Sequence, residues 1–72
     1  MDTKDRKISN TVKEHRSAAG VTQEQLAEAI GVSRQTIISI EKGNYVPSVL
    51  LALKYAAFFS VPVEVLFTLT ES

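Results

Sequence analysis

The sequence predicts an all-α domain of five short helices, and three observations lead to it. Apolar residues recur at spacings of three and four rather than two. Thr22, Ser33 and Ser48 each stand directly before such a run, where helix N-caps belong. Glycine or proline punctuates the chain between the runs. No credible sheet is expected.

Ile8, Val12, Arg16 and Ala19 form the first stripe, which predicts a helix over 8–19 stopped by Gly20 in a left-handed conformation. Thr22 and Gln25 then form a capping box for a second helix, with Leu26, Ala27 and Ile30 on its buried side and Gly31 at its end. Ser33 caps a third helix that turns Ile37 and Ile40 inward, runs to Lys42 and stops at Gly43-Asn44. Tyr45-Val46-Pro47 must be a loop, because proline restricts both itself and its predecessor. Ser48 caps a fourth helix through Phe59, Pro62 opens a fifth over Val63 to Phe67, and Thr68-Leu69-Thr70 is a β-prone tail. An arm over 1–7, a domain over 8–67 and a tail over 68–72 follow.

At 72 residues the chain has room for one domain, and without cysteine neither a disulfide nor a Cys-based zinc site can reinforce its thin core. Eight Lys and Arg balance eight Asp and Glu, which argues against a uniformly basic protein that coats nucleic acid. The charged start lacks the apolar stretch of a secretory signal and no run is long enough to span a membrane, so a cytoplasmic protein is expected. His15 is the only histidine, which leaves no metal cluster and no nucleophile-base set; no enzyme, cofactor or small-molecule ligand is expected.

Function concentrates on the segment Gln23-Glu24-Gln25-Leu26-Ala27-Glu28-Ala29-Ile30-Gly31-Val32-Ser33-Arg34-Gln35-Thr36-Ile37-Ile38-Ser39-Ile40-Glu41-Lys42. Ala27 is small where two helices cross, Gly31 supplies the positive φ of the turn, and Val32, Ile37 and Ile40 lock the third helix to the core. The outward side of that helix carries Ser33, Arg34, Gln35, Ser39 and Lys42, hydrogen-bonding types suited to a DNA groove rather than the Glu/Lys pairs of a merely solvated helix. This segment resembles the helix-turn-helix of the Cro and phage-repressor type, the Xre family, and the resemblance continues through Glu41-Lys42-Gly43 and Tyr45-Val46-Pro47-Ser48 to Glu64-Val65-Leu66-Phe67.

The resemblance implies a repressor-like transcriptional regulator whose third helix enters the major groove of double-stranded DNA, with Arg34, Gln35 and Ser39 on base edges. Arg34 suits guanine and Gln35 suits adenine, while Ile38 departs from the polar residue common at its position. It also implies phosphate contact for Gln23, with Ser33 and Lys42 as further candidates; Thr36 suits either set and is grouped with the phosphate contacts. Arg16 on the first stripe and Glu41 beside Ile40 are expected to form a structural ion pair.

Helix four offers three apolar stripes: Val49, Ala52, Ala56 and Phe59 suit the core, Leu50, Leu53 and Ala57 form a second, and Leu51, Tyr55 and Phe58 a third. A domain this small cannot cover all three, so a homodimer on a palindromic operator is expected, with Leu50, Leu53 and Phe58 in the interface. The resemblance adds Val63, Leu66, Phe67 and Leu69 from the C-terminal segment. The alternative is an antitoxin-like or adaptor module that uses the same apolar surface on a different protein.

Overall fold

A computed structural model of the chain describes residues 6–71, so most of the expected arm over 1–7 and the last residue of the tail lie outside the described residues. The order is β1 (Arg6–Asn10), α1 (Val12–Ala18), α2 (Gln23–Ile30), α3 (Arg34–Glu41), α4 (Val49–Phe59), α5 (Val63–Leu66) and β2 (Phe67–Glu71). The fold is mainly helical with five helices, and none among the described residues is long and apolar enough to cross a membrane.

Local chemistry starts and stops the central helices. Thr22 Oγ1 accepts the Gln25 N–H at 3.0 Å while Gln25 Oε1 accepts the Thr22 N–H at 2.9 Å, completing the capping box of α2. Ser33 Oγ accepts the Thr36 N–H at 3.2 Å and Ser48 Oγ the Leu51 N–H at 3.1 Å, each such cap being worth about 1 kcal/mol. Gly31 takes φ 88°, which lets both its own N–H and that of Val32 close on the Ala27 carbonyl at 2.8 and 3.0 Å. The tight turn between α2 and α3 rests on that residue.

Val12, Leu26, Ile37, Ile40, Tyr55 and Leu66 are completely buried, with Ala27, Ile30, Leu51 and Ala56 nearly so. Val21, Val32, Phe59, Val61, Val63 and Phe67 pack around them half-buried. Full burial of a large apolar side chain stabilises by about 1.5–3 kcal/mol, so this small cluster carries most of the drive to fold.

Four expectations are corrected. First, the chain does contain a sheet: β1 and β2 pair antiparallel, with Ile8 opposite Leu69 and Asn10 opposite Phe67. Ile8 sits four residues before Val12 and fits a helical period, but its pairing partner lies at the other end of the chain, where local spacing carries no signal. Second, helix one starts at Val12 instead of Ile8, and α5 ends at Leu66 because Phe67 enters β2.

Third, Leu51 and Tyr55 join Ala56 on the inward face of α4, so of the stripe expected in the core Ala56 is buried and Phe59 packs against the core half-buried, while Val49 is 77% exposed. A helix that is apolar on nearly every side has no pattern with which to choose a face, and the packing of α2 and α5 chooses it. Fourth, Leu66 is unavailable to a partner chain: it is the inward residue of the single-turn α5 and is completely buried.

Candidate nucleic-acid interface

Helix α3 has one apolar and one polar side. Ile37 and Ile40 fill the core, and Arg34 and Gln35 stand exposed at the opposite side with Thr36 and Ser39 half-exposed beside them. Two shallow grooves flank this ridge, the first of them mainly polar. One, of about 500 Å³, is lined by Arg16, Thr22, Gln23, Glu24 and Arg34, and so joins the N-terminal ends of α2 and α3. The other, of about 340 Å³, is lined by Ser33, Gln35, Thr36, Ser39, Asn44 and Tyr45.

The residues singled out for base contact therefore fall on two sides of one ridge, Arg34 toward the first groove and Gln35 with Ser39 toward the second. Of those singled out for phosphate contact, Gln23 lines the first groove and Ser33 and Thr36 the second, whereas Lys42 is exposed at the C-terminal end of α3 and lines neither. Ser33 and Thr36 are also bonded to each other, Oγ to Oγ1 at 3.0 Å, so capping already engages both hydroxyls. Ile38 is half-buried.

In the first turn of α2 the backbone N–H groups have no carbonyl of their own helix to bond, a feature that favours an anion. Glu24 in the same groove tempers that attraction.

Behind the ridge lies a charged clamp. Arg16 Nε donates to Glu41 Oε2 at 2.6 Å and Arg16 Nη2 to Oε1 at 3.3 Å, while Nη1 donates to the Val21 carbonyl at 2.9 Å. The Glu41 side chain is only 4% exposed and that of Arg16 14%. Gln23 Nε2 donates to the same carboxylate at 3.1 Å, which uses one of its two amide hydrogens and leaves the other for a ligand. One carboxylate thus ties α1, the start of α2 and the end of α3 together. Nearby, the completely buried Tyr55 hydroxyl finds no hydrogen-bond partner among the described residues. Burial foremost, and then the Glu41 charge, push its pKa well above the ordinary tyrosine range.

Sequence reasoning missed Asn44 and Tyr45, which form the outer wall of the second groove. Their signal was a polar residue and an aromatic one in the loop directly after the third helix. It also missed Asn10, whose amide reaches the α3 backbone from β1.

Outside these grooves Leu50, Leu53, Phe58 and Leu69 are 65, 52, 39 and 60% exposed, while Val63 and Phe67 are half-buried, Phe67 packing edge-on against Tyr55. Ile8, Val46, Pro47, Val49, Ala52 and Phe67 line an apolar hollow of about 150 Å³ between the sheet and the start of α4.

Two capped helices joined by a glycine turn, the second buried on one side and polar on the other, define a helix-turn-helix protein. The helix-turn-helix family model matches residues 12–66, and the chain belongs to this family, of the Cro and phage-repressor type. It is 53% identical over 64 residues to an uncharacterized HTH-type transcriptional regulator of Bacillus subtilis (strain 168), YgzD, covering 89% of this chain and 97% of that one.

A second uncharacterized HTH-type transcriptional regulator, from Methanocaldococcus jannaschii, is 53% identical over 60 residues, covering 83% of this chain and 91% of the relative. Among solved structures, the restriction-modification controller protein C.AhdI from Aeromonas hydrophila superposes with a TM-score of 0.69 at 30% identity, over 74% of this chain and 80% of that one.

Proposed function

We propose that the chain is a cytoplasmic transcription regulator of the repressor kind that binds double-stranded DNA as a homodimer on a palindromic operator. One observation carries the reading: the outward side of α3, with Arg34 and Gln35 exposed and Ser39 half-exposed beside them, is held from behind by two completely buried isoleucines and a largely shielded ion pair. Recognition requires such support, because a bidentate contact discriminates only when its donors are held in register with a base edge.

Arg34 takes guanine O6 and N7, Gln35 takes adenine N6 and N7, and Ser39 takes a further edge. Gln23, Ser33, Thr36 and Lys42 anchor phosphates, and Asn44 and Tyr45 flank the same strand. The regulator names carried by the B. subtilis and M. jannaschii relatives support this class of function.

The second copy covers Leu50, Leu53, Phe58 and Leu69, with Val63 and Phe67 at the edge. One recognition helix reads too few base pairs for specificity, and twofold pairing supplies two half-sites. Selection of duplexes from a random pool tests both statements. The reading predicts two inverted half-sites about one helical turn apart. A single motif without dyad symmetry contradicts the dimeric operator, and a pool that enriches nothing contradicts DNA recognition and favours the antitoxin-like or adaptor alternative.

A further inference from the structure

Asn10 ends β1 and connects the sheet to the recognition helix. Its Oδ1 accepts the Val12 N–H at 3.2 Å, opening α1 where Thr11 makes no side-chain cap, and its Nδ2 donates to the Ile40 carbonyl at 2.9 Å. That carbonyl belongs to the last turn of α3, where the helix has no further N–H of its own to offer. It also accepts the Gly43 N–H at 2.9 Å, and the following amide, Asn44 N–H, closes on the Ser39 carbonyl at 2.9 Å. Asn10 therefore shares an acceptor with the bond that turns the chain out of α3 and into the wall formed by Asn44 and Tyr45 beside Gln35 and Ser39.

The donor itself is fixed. Asn10 is paired with Phe67 across the sheet, and the next residue, Thr11, donates its N–H to the Leu66 carbonyl and its Oγ1–H to the Val65 carbonyl, both at 2.9 Å. The side chain is half-buried, so water competes only weakly for the Ile40 carbonyl. Hydrogen bonds from Thr11 to the end of α5 and from the adjoining Asn10 to Ile40 thus connect α5 to the exit of α3.

Resting on the reading of α3 as the DNA-reading helix, we propose that Asn10 is a positioning residue for sequence discrimination. Without touching DNA, its amide holds the end of α3 and the Asn44–Tyr45 wall against the sheet, and so sets where Gln35 and Ser39 meet the bases.

Asn10→Ser and Asn10→Asp each keep an oxygen that can accept the Val12 N–H two residues on, but lose the amide donor. In the DNA-free protein, amide exchange at Gly43 and Asn44 is expected to quicken roughly tenfold in both variants, with Leu26 in α2 unchanged. On the duplex that the parent protein enriches from a random pool, preference over a scrambled duplex should fall roughly threefold to tenfold, while affinity for the scrambled duplex stays within about twofold.

Unchanged exchange at Gly43 overturns the strut, as does an acceleration shared equally by Leu26, which would mark a general loss of stability. Faster local exchange with undiminished preference overturns the positioning role. A pool that enriches nothing is a failure of the DNA reading and removes the positioning role with it, whereas the exchange result still decides whether the strut exists.

Discussion

The α2–α3 half and the α4–sheet half of this molecule use apolar residues in opposite ways. Helices α2 and α3 each bury one stripe and turn polar side chains outward, so their surface is suited to water or to a charged ligand. Helix α4 buries Leu51, Tyr55 and Ala56 and still leaves Val49, Leu50 and Leu53 more than half exposed, with Leu69 of β2 exposed in the same half of the fold. The first half is complete as a surface and the second resembles the inside of a larger core. A domain of this size cannot cover a helix apolar on all sides, and what the fold leaves uncovered is the surface assigned to the second copy in the proposed dimer.

The largest expected effect breaks the first half from within. In Glu41→Ala, Arg16 and Gln23 lose their shared acceptor while Arg16 remains largely shielded, and stability should fall by about 3–5 kcal/mol in denaturant unfolding. A loss below ~1 kcal/mol would mean that the pair behaves as a surface pair.

Two leucines then separate the roles in the second half. Leu66→Ala removes a completely buried side chain and should cost about 2–5 kcal/mol. Leu53→Glu alters an exposed side chain and should change the stability of the folded monomer by no more than about 0.5 kcal/mol, yet convert a micromolar dimer to monomer in sedimentation equilibrium. If Leu53→Glu unfolds the chain and leaves association intact, the two halves have been assigned the wrong way round.

The smallest effect lies where the halves meet. Tyr55→Phe removes a buried hydroxyl without a partner and should be neutral or stabilising by up to ~1 kcal/mol. Because the folded-state pKa is raised, the unfolded chain releases this proton near pH 10 and the folded chain keeps it. Stability is therefore lost as pH rises above about 10, at up to ~1.4 kcal/mol per pH unit, and Tyr55→Phe should remove that contribution from alkaline unfolding curves.

The same division decides what could be read from the sequence. Caps and stops are local, so Thr22 with Gln25, Ser33, Ser48 and Gly31 could be recognised from their neighbours alone, and they frame α2, α3 and α4. The sheet is not local: Ile8 and Leu69 pair across the whole chain, and Ile8 also fits the period of the helix that follows it. In α4 the difficulty was an excess of apolar residues, since three stripes were available and only the packing of α2 and α5 selects Leu51 and Tyr55.

The outer ridge of α3 was legible as residue types. Its division into two grooves, the addition of Asn44 and Tyr45, and the bond from Gln23 to Glu41 depend on distances that spacing does not carry.

The most direct test of the central claim, that the ridge of α3 reads base edges, is the position-resolved binding preference of Arg34→Ala compared with that of Lys42→Ala. Arg34→Ala should relax preference at one position in each half-site by ~1–3 kcal/mol and leave the others intact. Lys42→Ala should weaken all sequences about equally and reduce the slope of log affinity against log salt by roughly 0.9 for each phosphate no longer neutralised. An Arg34→Ala protein with unaltered preference beside a Lys42→Ala protein with changed preference would contradict the claim.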